Sequence, residues 1–572
     1  MAALWVLNLL QAAFTGLADD EAYYWYYAQH LDWGYFDHPP MVALLVWLSS
    51  FMPGALGVRF FSTLLQPLYL LLFWHLVKPA DTTRRDAVLY TLLCFSQPLL
   101  QLYGFLAVPD APLMMATVLF LWAFKRFDSK TTTGNAMLMG LTVALLGYSK
   151  YHGALVVLLV LLARPRHFLR PQLYVTGLTA LVLMLPHFWW QYTHDWVSLR
   201  YHLAGRNAWS YRASYTLEYL GTLLVLFNPL WLYHLVRAML KPSASEKPLM
   251  RRVGITLCLG FWAFFLAATI RGRVQPQWLL PTALPVVALV FHAARHSRYV
   301  YTASIVCAVI FVAVRIAAMA NPLHLKGQLW EGDEPYRKVA AIADGRPVQF
   351  IGCYAFAAKY AYYTGNPTHC TSYYFSRSSQ WQYDTVDRTF AGREVMVADM
   401  SEINGFEADL GSNTLHYIFV PDFRPIRELR ADLTEPLDMH LKLLSRTGDD
   451  GTADSLQPIV LPMTVSNPYP YDIVGTDSMP VKVSLYFQWG QNIAAEASTL
   501  LTDTLRAGAV TNIRPQLPLP ASVPDGVSTC GIAIGYTSYH PATSGPQGTA
   551  TVSRNGNGVD IVGNLPIKTI QQ

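Results

Sequence analysis

The sequence predicts a polytopic α-helical membrane domain of about eleven transmembrane helices, followed by a C-terminal soluble α/β plus β domain. Three observations carry that prediction. The 572 residues are 53% hydrophobic and only 14% charged, the wrong balance for an ordinary soluble enzyme. Nearly all long apolar runs lie before residue 320. The charge also divides there: residues 1–320 hold 24 Lys and Arg against 12 Asp and Glu, a net of +12, whereas residues 321–572 hold 18 against 25, a net of −7. A disordered chain and a nucleic-acid-binding chain are excluded by this composition.

Apolar runs that approach the roughly 30 Å hydrocarbon core of a bilayer fall near residues 58–77, 87–107, 111–127, 134–149, 152–164, 172–190, 215–236, 253–270, 279–294 and 299–319. The opening Met1–Leu17 run lacks the basic start and small-residue cleavage site of a secretory signal, so it is read as the first span. Lys and Arg collect on cytoplasmic loops. Sixteen of them fall on alternate loops, at Lys78, Arg84 and Arg85; Lys125, Arg126 and Lys130; Arg164, Arg166 and Arg170; Arg237, Lys241, Lys247, Arg251 and Arg252; and Arg295 and Arg298. The opposite side carries seven, namely Arg59, Lys150, Arg200, Arg206, Arg212, Arg271 and Arg273, together with eight of the twelve acids. Eleven spans starting inside place residues 321–572 outside. The segment from His38 to Phe51 is expected to lie in the interface, since a crossing there would reverse every later loop.

Residues 321–450 read as an α/β domain. Pro347–Ile351 is β-like, Phe356–Tyr363 helix-like, and a second β-like run follows Gly365-Asn366-Pro367, which suggests a βαβ unit. Residues 451–572 are poor in charge and rich in Val, Thr, Pro, Gly and Ser. Runs such as Val481–Trp489 and Gly548–Val552 predict a β-rich, sandwich-like terminal domain. Cys94, Cys258 and Cys307 fall in apolar runs, and no cysteine pair has metal-ligand spacing. Cys353 and Cys370 lie in the outer domain, where a disulfide and two free thiols are equally in keeping with the sequence, and Cys530 is left over.

The first outer loop, residues 18–57, concentrates acids and aromatics: Asp19-Asp20-Glu21-Ala22-Tyr23-Tyr24-Trp25, then Asp32-Trp33-Gly34-Tyr35-Phe36-Asp37-His38. Two readings stand side by side. Acids favour the outer side and Tyr and Trp form interfacial belts. Alternatively, a carboxylate at the membrane surface is what a general base needs to deprotonate an acceptor hydroxyl or amine while a lipid-linked substrate stays in the bilayer. The aromatics would then stack on sugar faces.

The strings DEAYYW (Asp20–Trp25) and YFDHPP (Tyr35–Pro40) resemble the first-loop signature of the GT-C superfamily, in its bacterial branch related to protein O-mannosyltransferases and the lipid A aminoarabinose transferase. VPDAPL (Val108–Leu113), YSKYHG (Tyr148–Gly153), PHFWWQYTHDWVSLRYH (Pro186–His202) and RVQPQW (Arg273–Trp278) resemble further blocks of that branch in the same order. Together they cover most of residues 18–300. The resemblance implies a GT-C-type enzyme in a bacterial cytoplasmic membrane. It would pass a sugar from a polyprenyl-phosphate donor to a lipid, glycan or protein acceptor on the outer, periplasmic side. It makes Asp20 the leading catalytic base, with Glu21 orienting it or helping to bind acceptor. Where the aminoarabinose branch carries Lys after an acid, this chain has Asp37-His38, and a neutral imidazole is a poorer anion partner than ammonium.

A departing phosphodiester needs cations or a metal to stabilise its charge. Lys150, Arg271, Arg273 and Arg59, with His38 behind them, are the expected donor-phosphate contacts. Snorkelling or anchoring is the bland alternative for each long side chain. Asp37, Tyr23, Tyr24, Trp25, Tyr151, His152, His194, Asp195 and Trp278 are expected to bind substrate. Asp110 is either part of that set or a cap for the following helix. Asp20, Glu21, Asp37, His38 and Asp110 form an oxygen-rich set suited to Mg²⁺ or Mn²⁺, but no spacing demands a metal, and the expectation is that no cofactor is required. Two other classes compete: a glycolipid transporter or flippase, which predicts charges at mid-bilayer and repeated halves, and a noncatalytic envelope assembly protein. Neither explains why the charges and motifs collect at one face of the membrane half.

Overall fold

The computed structural model describes residues 1–205, 211–372, 378–401, 403, 405–434, 439–441, 458–475, 480–489, 492–518, 529–536, 547–555 and 558–562. Arg206 lies outside the described residues. The chain divides into two units, Met1–Gly332 and Asp333–Gln572.

Every apolar run in the first unit is helical. In chain order its helices are α1 (Ala2–Phe14), α2 (Asp19–Gln29), α3 (Met41–Ser49), α4 (Leu56–Val77), α5 (Arg84–Phe95), α6 (Pro98–Tyr103), α7 (Asp110–Ser129) and α8 (Thr133–Ser149). They continue as α9 (Gly153–Leu162), α10 (Pro171–Thr193), α11 (Val197–Arg200), α12 (Ala213–Leu226), α13 (Leu232–Leu240), α14 (Pro248–Ala268), α15 (Ala283–Ala294) and α16 (Arg298–Ala320). Five described segments are long and apolar enough to cross a bilayer alone: α4, α10, α14, α16 and Pro276–Ala294. Two bent pairs, α1 with α2 at 87° and residues 213–226 with 229–240 at 69°, bring the number to seven. The 87–107 run is interrupted at Pro98, which has no N–H to continue the helical ladder. The 215–236 run bends at Asn228-Pro229, where Asn228 takes a φ of +57° and its side chain accepts from Leu230 N.

Burial identifies the solvent. On α10, Leu178, Leu181, Val182 and Leu185 are exposed, and on α16 so are Val306, Val309, Ile310 and Ile316. Apolar faces of that extent are not stable against water, so this unit is a multi-pass membrane domain. α3 spans nine residues, about 14 Å, and is too short to cross. It buries Val42, Ala43 and Val46 while Leu44, Trp47 and Leu48 stay exposed. α7 and α8 form a hairpin whose turn is closed by Thr132 Oγ1 accepting from Asn135 N. That hairpin brings the first residue of α7 to the last turn of α8.

In the second unit α17 (Glu334–Ala343) precedes β1 (Val348–Ile351), α18 (Tyr354–Thr364) and β2 (Thr368–Thr371). β1 and β2 pair in parallel, Val348 opposite Thr368, which is the expected βαβ unit. Gly365 ends α18 at a φ of +70°, a left-handed position that costs glycine little. β3 (Arg393–Asp399), β4 (Phe406–Asp409) and β5 (Thr414–Phe423) complete a sheet ordered β2-β1-β3-β5-β4.

The remaining strands are β6 (Arg430–Leu433), β7 (Met439–Leu441), β8 (Ile459–Val460), β9 (Met463–Ser466), β10 (Val481–Trp489), β11 (Asn492–Leu500), β12 (Val510–Ile513), β13 (Gln516–Leu517), β14 (Thr529–Tyr536), β15 (Gln547–Asn555) and β16 (Gly558–Val562). They form sheets ordered β11-β10-β14-β15-β16-β7, β12-β9-β6 and β13-β8. β6 and β7 precede residue 451 yet pair with β9 and β16. One apolar cluster runs from Ile351 through Val397 and Leu461 to Ile534. Cys353 and Cys370 are free thiols. Their mutual hydrogen bond, with burial, pushes the Cys353 thiol above its ordinary range.

Candidate active site

The acids of the first loop form the opening turn of α2, where carboxylates favour the positive end of the helix dipole. Successive helical residues are turned about 100° apart, so neighbours meet different surroundings. Asp20 is exposed and Glu21 is fully buried. Glu21 Oε1 accepts from Arg59 Nε at 2.7 Å and Ala107 N at 2.8 Å. Its Oε2 accepts from Arg59 Nη2 at 2.5 Å and Ala18 N at 3.0 Å. The carboxylate is thereby fully occupied.

Arg59 is equally committed, and this corrects its expected role. Besides Glu21 it donates to the carbonyls of Ala12, Thr15 and Gly16 at 2.7–3.0 Å. All five guanidinium N–H groups are therefore used inside the protein, and none remains for a donor phosphate. Phe105 lies beneath Arg59 at 5.5 Å and beside Arg315 at 5.6 Å. Arg315, about which the sequence says little, is buried and donates to Gln11 Oε1, Asn8 Oδ1 and Gln101 Oε1.

Asp110 does not cap α7 with its side chain. Both its oxygens accept from Lys150 Nζ, at 2.8 and 2.7 Å, and both residues are buried. Tyr103 lies within electrostatic reach of Asp110 and Asp20 alike. The base candidate and the buried ion pair thus share a neighbour.

The other half of the first loop is held by the end of α10 and by α11. Trp190 Nε1 donates to Asp32 Oδ2 at 2.8 Å, His187 Nδ1 bonds Trp33 O at 2.8 Å, and Ser198 Oγ donates to Tyr35 O at 2.7 Å. Gly34 packs so closely on Trp190 that a Cβ there would come within 2.4 Å of its ring. Tyr151 Oη lies 3.3 Å from His187 Nε2 and accepts from Gln191 Nε2 at 3.0 Å. Asp37 accepts from Tyr27 Oη, and its carbonyl bonds His202 Nε2 at 2.8 Å. His38 is buried between the rings of Tyr24 and His202.

Several residues expected to bind substrate pack against or pair with other side chains of the chain. Tyr23 and Tyr24 are 1% and 4% exposed; Tyr23 packs on Tyr27, which stacks on Tyr35 at 4.1 Å. They make an aromatic core beneath the loop, leaving Trp25 as the half-exposed member of the string. His152 and Trp278 pack together with Phe265. His194 stacks on Trp190 at 4.0 Å, and Asp195 pairs with Arg200 at the surface. Arg271 and Arg273 are exposed. Arg273 Nε meets Glu218 Oε2 at 2.8 Å, and both line a cleft of about 670 Å³ with Thr222, Val225 and Gln275. Neither arginine hydrogen-bonds or ion-pairs with Lys150 or the first loop among the described residues.

Among the described residues, no three His, Cys, Asp or Glu side chains form a group able to hold a metal. Within the oxygen-rich set expected to converge, Arg59 occupies Glu21, Lys150 occupies Asp110, and Tyr27 bonds Asp37.

The sequence profile of the family described as dolichyl-phosphate-mannose-protein mannosyltransferase matches residues 37–190. The structure resembles ArnT from Cupriavidus metallidurans in its apo state, with a TM-score of 0.55 at 12% identity, over 73% of this chain and 96% of that one. The lipid A galacturonosyltransferase RgtD of Rhizobium johnstonii is 24% identical over 305 residues. The chain thus shares the fold of ArnT. It also matches ArnT bound to undecaprenyl phosphate, with a TM-score of 0.50 at 13% identity over the same shares of the two chains. The RgtD match takes in 48% of this chain and spans 63% of the length of that relative.

Proposed function

We propose that this chain is a glycosyltransferase that moves a sugar from a polyprenyl-phosphate donor to a lipid acceptor on the outer side of a bacterial cytoplasmic membrane, without a metal. The observation that carries the reading is the division of labour at the head of α2. Glu21 is consumed by Arg59, while Asp20 beside it is exposed and shares Tyr103 with the Asp110–Lys150 pair. The ArnT structure with bound undecaprenyl phosphate supports the donor class, and the lipid A acceptor in RgtD's name supports the acceptor.

On this reading Asp20 takes the proton of the acceptor hydroxyl or amine. The freed electron pair forms the bond to the anomeric carbon, and the carbon–oxygen bond to the phosphate breaks with its pair passing to the phosphate oxygen. A single in-line displacement inverts that carbon. Lys150 spends two of its three N–H donors on Asp110, and the third is available to the phosphate. Arg271 and Arg273 receive its charge from the exposed side. The topology proposed with this is eleven crossings with residues 321–572 outside.

Mass spectrometry of envelope lipids and glycans from cells with and without the gene tests the reading. Loss of one sugar from one lipid supports it. Loss from a polysaccharide or a protein would replace the acceptor, and an unchanged inventory with displaced glycolipid would favour a transporter.

A further inference from the structure

The block that runs from the end of α10 through α11 does more than hold the first loop. It takes three alternate carbonyls of that loop: Trp33 O bonds His187 Nδ1, Tyr35 O bonds Ser198 Oγ and Asp37 O bonds His202 Nε2, all at 2.7–2.8 Å. A carbonyl only accepts, so the proton of the neutral His187 ring sits on Nδ1 and its Nε2 is an acceptor. Tyr151 Oη, 3.3 Å from that Nε2, therefore donates to it. Ser198 Oγ likewise donates to Tyr35 O. Both hydroxyls are left to receive, and Gln191 Nε2 supplies both, at 3.0 Å to Tyr151 and 2.7 Å to Ser198. The direction of each hydrogen bond from Gln191 to the loop is thereby set.

Tyr151 stands between Lys150 and His152 in the short turn that joins α8 to α9, closed by Gly153 N donating to Lys150 O at 2.8 Å. Its ring packs on those of His202 and His187, with centroids 5.2 and 6.0 Å away. Two successive side chains of one turn thus reach different partners: Lys150 reaches Asp110 at the head of α7, and Tyr151 reaches α10 and, through it, the first loop. A shift at Tyr151 passes through a single peptide to Lys150. We propose that Tyr151 is a positioning residue for sugar transfer, held by His187 and Gln191, and that it sets the Lys150 ammonium in place against the first loop. The proposal rests on the reading of Lys150 as a contact of the departing phosphate. Displacing a reacting group by about 1 Å can cost about 100-fold in rate; removing one hydrogen bond while the ring packing stays should cost about 10-fold.

The test is single-turnover transfer by the full-length purified protein from a radiolabelled polyprenyl phosphate carrying the sugar that disappears with the gene, with donor binding and melting temperature measured on every variant. Tyr151→Phe keeps the ring and loses only the hydroxyl. His187→Asn keeps a donor for Trp33 O, because its amide nitrogen falls where Nδ1 does, and loses the acceptor for Tyr151. Each should slow transfer about 10-fold while donor binding and melting temperature stay close to wild type. The double variant should also be slowed about 10-fold rather than about 100-fold, since both changes break one hydrogen bond. Should either variant fail to fold, Gln191→Met removes the donor to Tyr151 and should show the same loss of rate. An undiminished Tyr151→Phe rate beside active wild-type protein, or losses that multiply in the double variant, would overturn the proposal and leave the glycosyltransferase reading standing. Weakened donor binding in Tyr151→Phe would overturn it too, by making the hydroxyl a substrate contact. No transfer by the wild-type protein would sink the reading of the reaction itself, and the proposal with it.

Discussion

Arg59 and Glu21 form a fully buried ion pair, Nη2 to Oε2 at 2.5 Å and Nε to Oε1 at 2.7 Å, that ties α4 to the first turn of α2. Breaking a buried pair from one side leaves a charge without a partner, typically at a cost of 3–5 kcal/mol. Arg59→Leu and Glu21→Gln should each lower the detergent-solubilised melting temperature and the expression level. The double change should cost less than the two singles summed. Additive losses in a thermal-shift cycle would show that the two residues act separately.

Lys150 and Asp110 should behave differently, because on the proposed mechanism the lysine has work beyond the pair. Asp110→Asn leaves the ammonium buried among neutral partners and should reduce stability and turnover together. Lys150→Met removes both the charge and the need for its partner, so much of the stability should be retained while turnover falls by at least about 100-fold, the size of losing one preorganised charge-stabilising donor. Melting curves beside steady-state rates separate the two outcomes.

Arg273→Ala should raise donor KM and lower kcat, because phosphate charge is present in the ground state and grows as the bond breaks. Arg273→Lys should rescue only part of that, since ammonium cannot make the bidentate contact. Arg271→Ala is expected to follow the same pattern more weakly, as no ion pair holds Arg271 in place among the described residues. Unchanged kinetics in both Ala variants would make the arginines membrane anchors.

The second unit carries a pH dependence of its own. Burial pushes the Asp384 carboxyl up to about 7, with Oδ2 buried and without a hydrogen-bond partner among the described residues. Burial also holds His369 down at about 4. From about pH 4 to 7 the folded chain keeps an Asp384 proton that the unfolded chain has released, so this contribution to stability is lost as pH rises. From about pH 6.5 down to 4 the unfolded chain gains a His369 proton that the folded one refuses, so that contribution is lost as pH falls. The two oppose one another, each on the order of 3 kcal/mol. Asp384→Asn should therefore convert a nearly flat profile into one whose stability climbs between pH 4 and 6.5. Hydrogen exchange in the 378–390 peptides of the full-length chain, corrected for intrinsic rate, would report it; equal pH slopes in variant and parent would refute it.

Much of this architecture was legible in the sequence because apolar runs and basic loops report the solvent directly. Each run became helical, though 87–107 and 215–236 each broke into two pieces, and the Pro347–Thr371 stretch announced its parallel pair through turn residues. Partnerships were not legible. Asp110 and Lys150 are 40 positions apart and Arg59 and Glu21 are 38 apart, and no periodicity links residues on different helices. Tyr23 and Tyr24 looked like sugar platforms because an aromatic string reads alike whether it faces solvent or core. His187 and Gln191, which the sequence reading left unnamed, sit four residues apart on α10 and both reach Tyr151; that spacing within an already conspicuous block was the available signal. Arg315 gave none, since the amides that hold it lie on α1 and α6.

The account rests on Asp20 as the base. Asp20→Asn preserves size and leaves the Arg59–Glu21 pair intact but cannot accept a proton, and general-base catalysis contributes about 10²–10⁴-fold. The decisive measurement is single-turnover transfer from a radiolabelled polyprenyl-phosphate sugar by purified Asp20→Asn and wild-type protein, with donor binding measured in parallel. The account predicts unchanged donor binding and a transfer rate reduced by at least about 100-fold. Transfer at more than about a tenth of the wild-type rate would contradict it and move the base to another carboxylate.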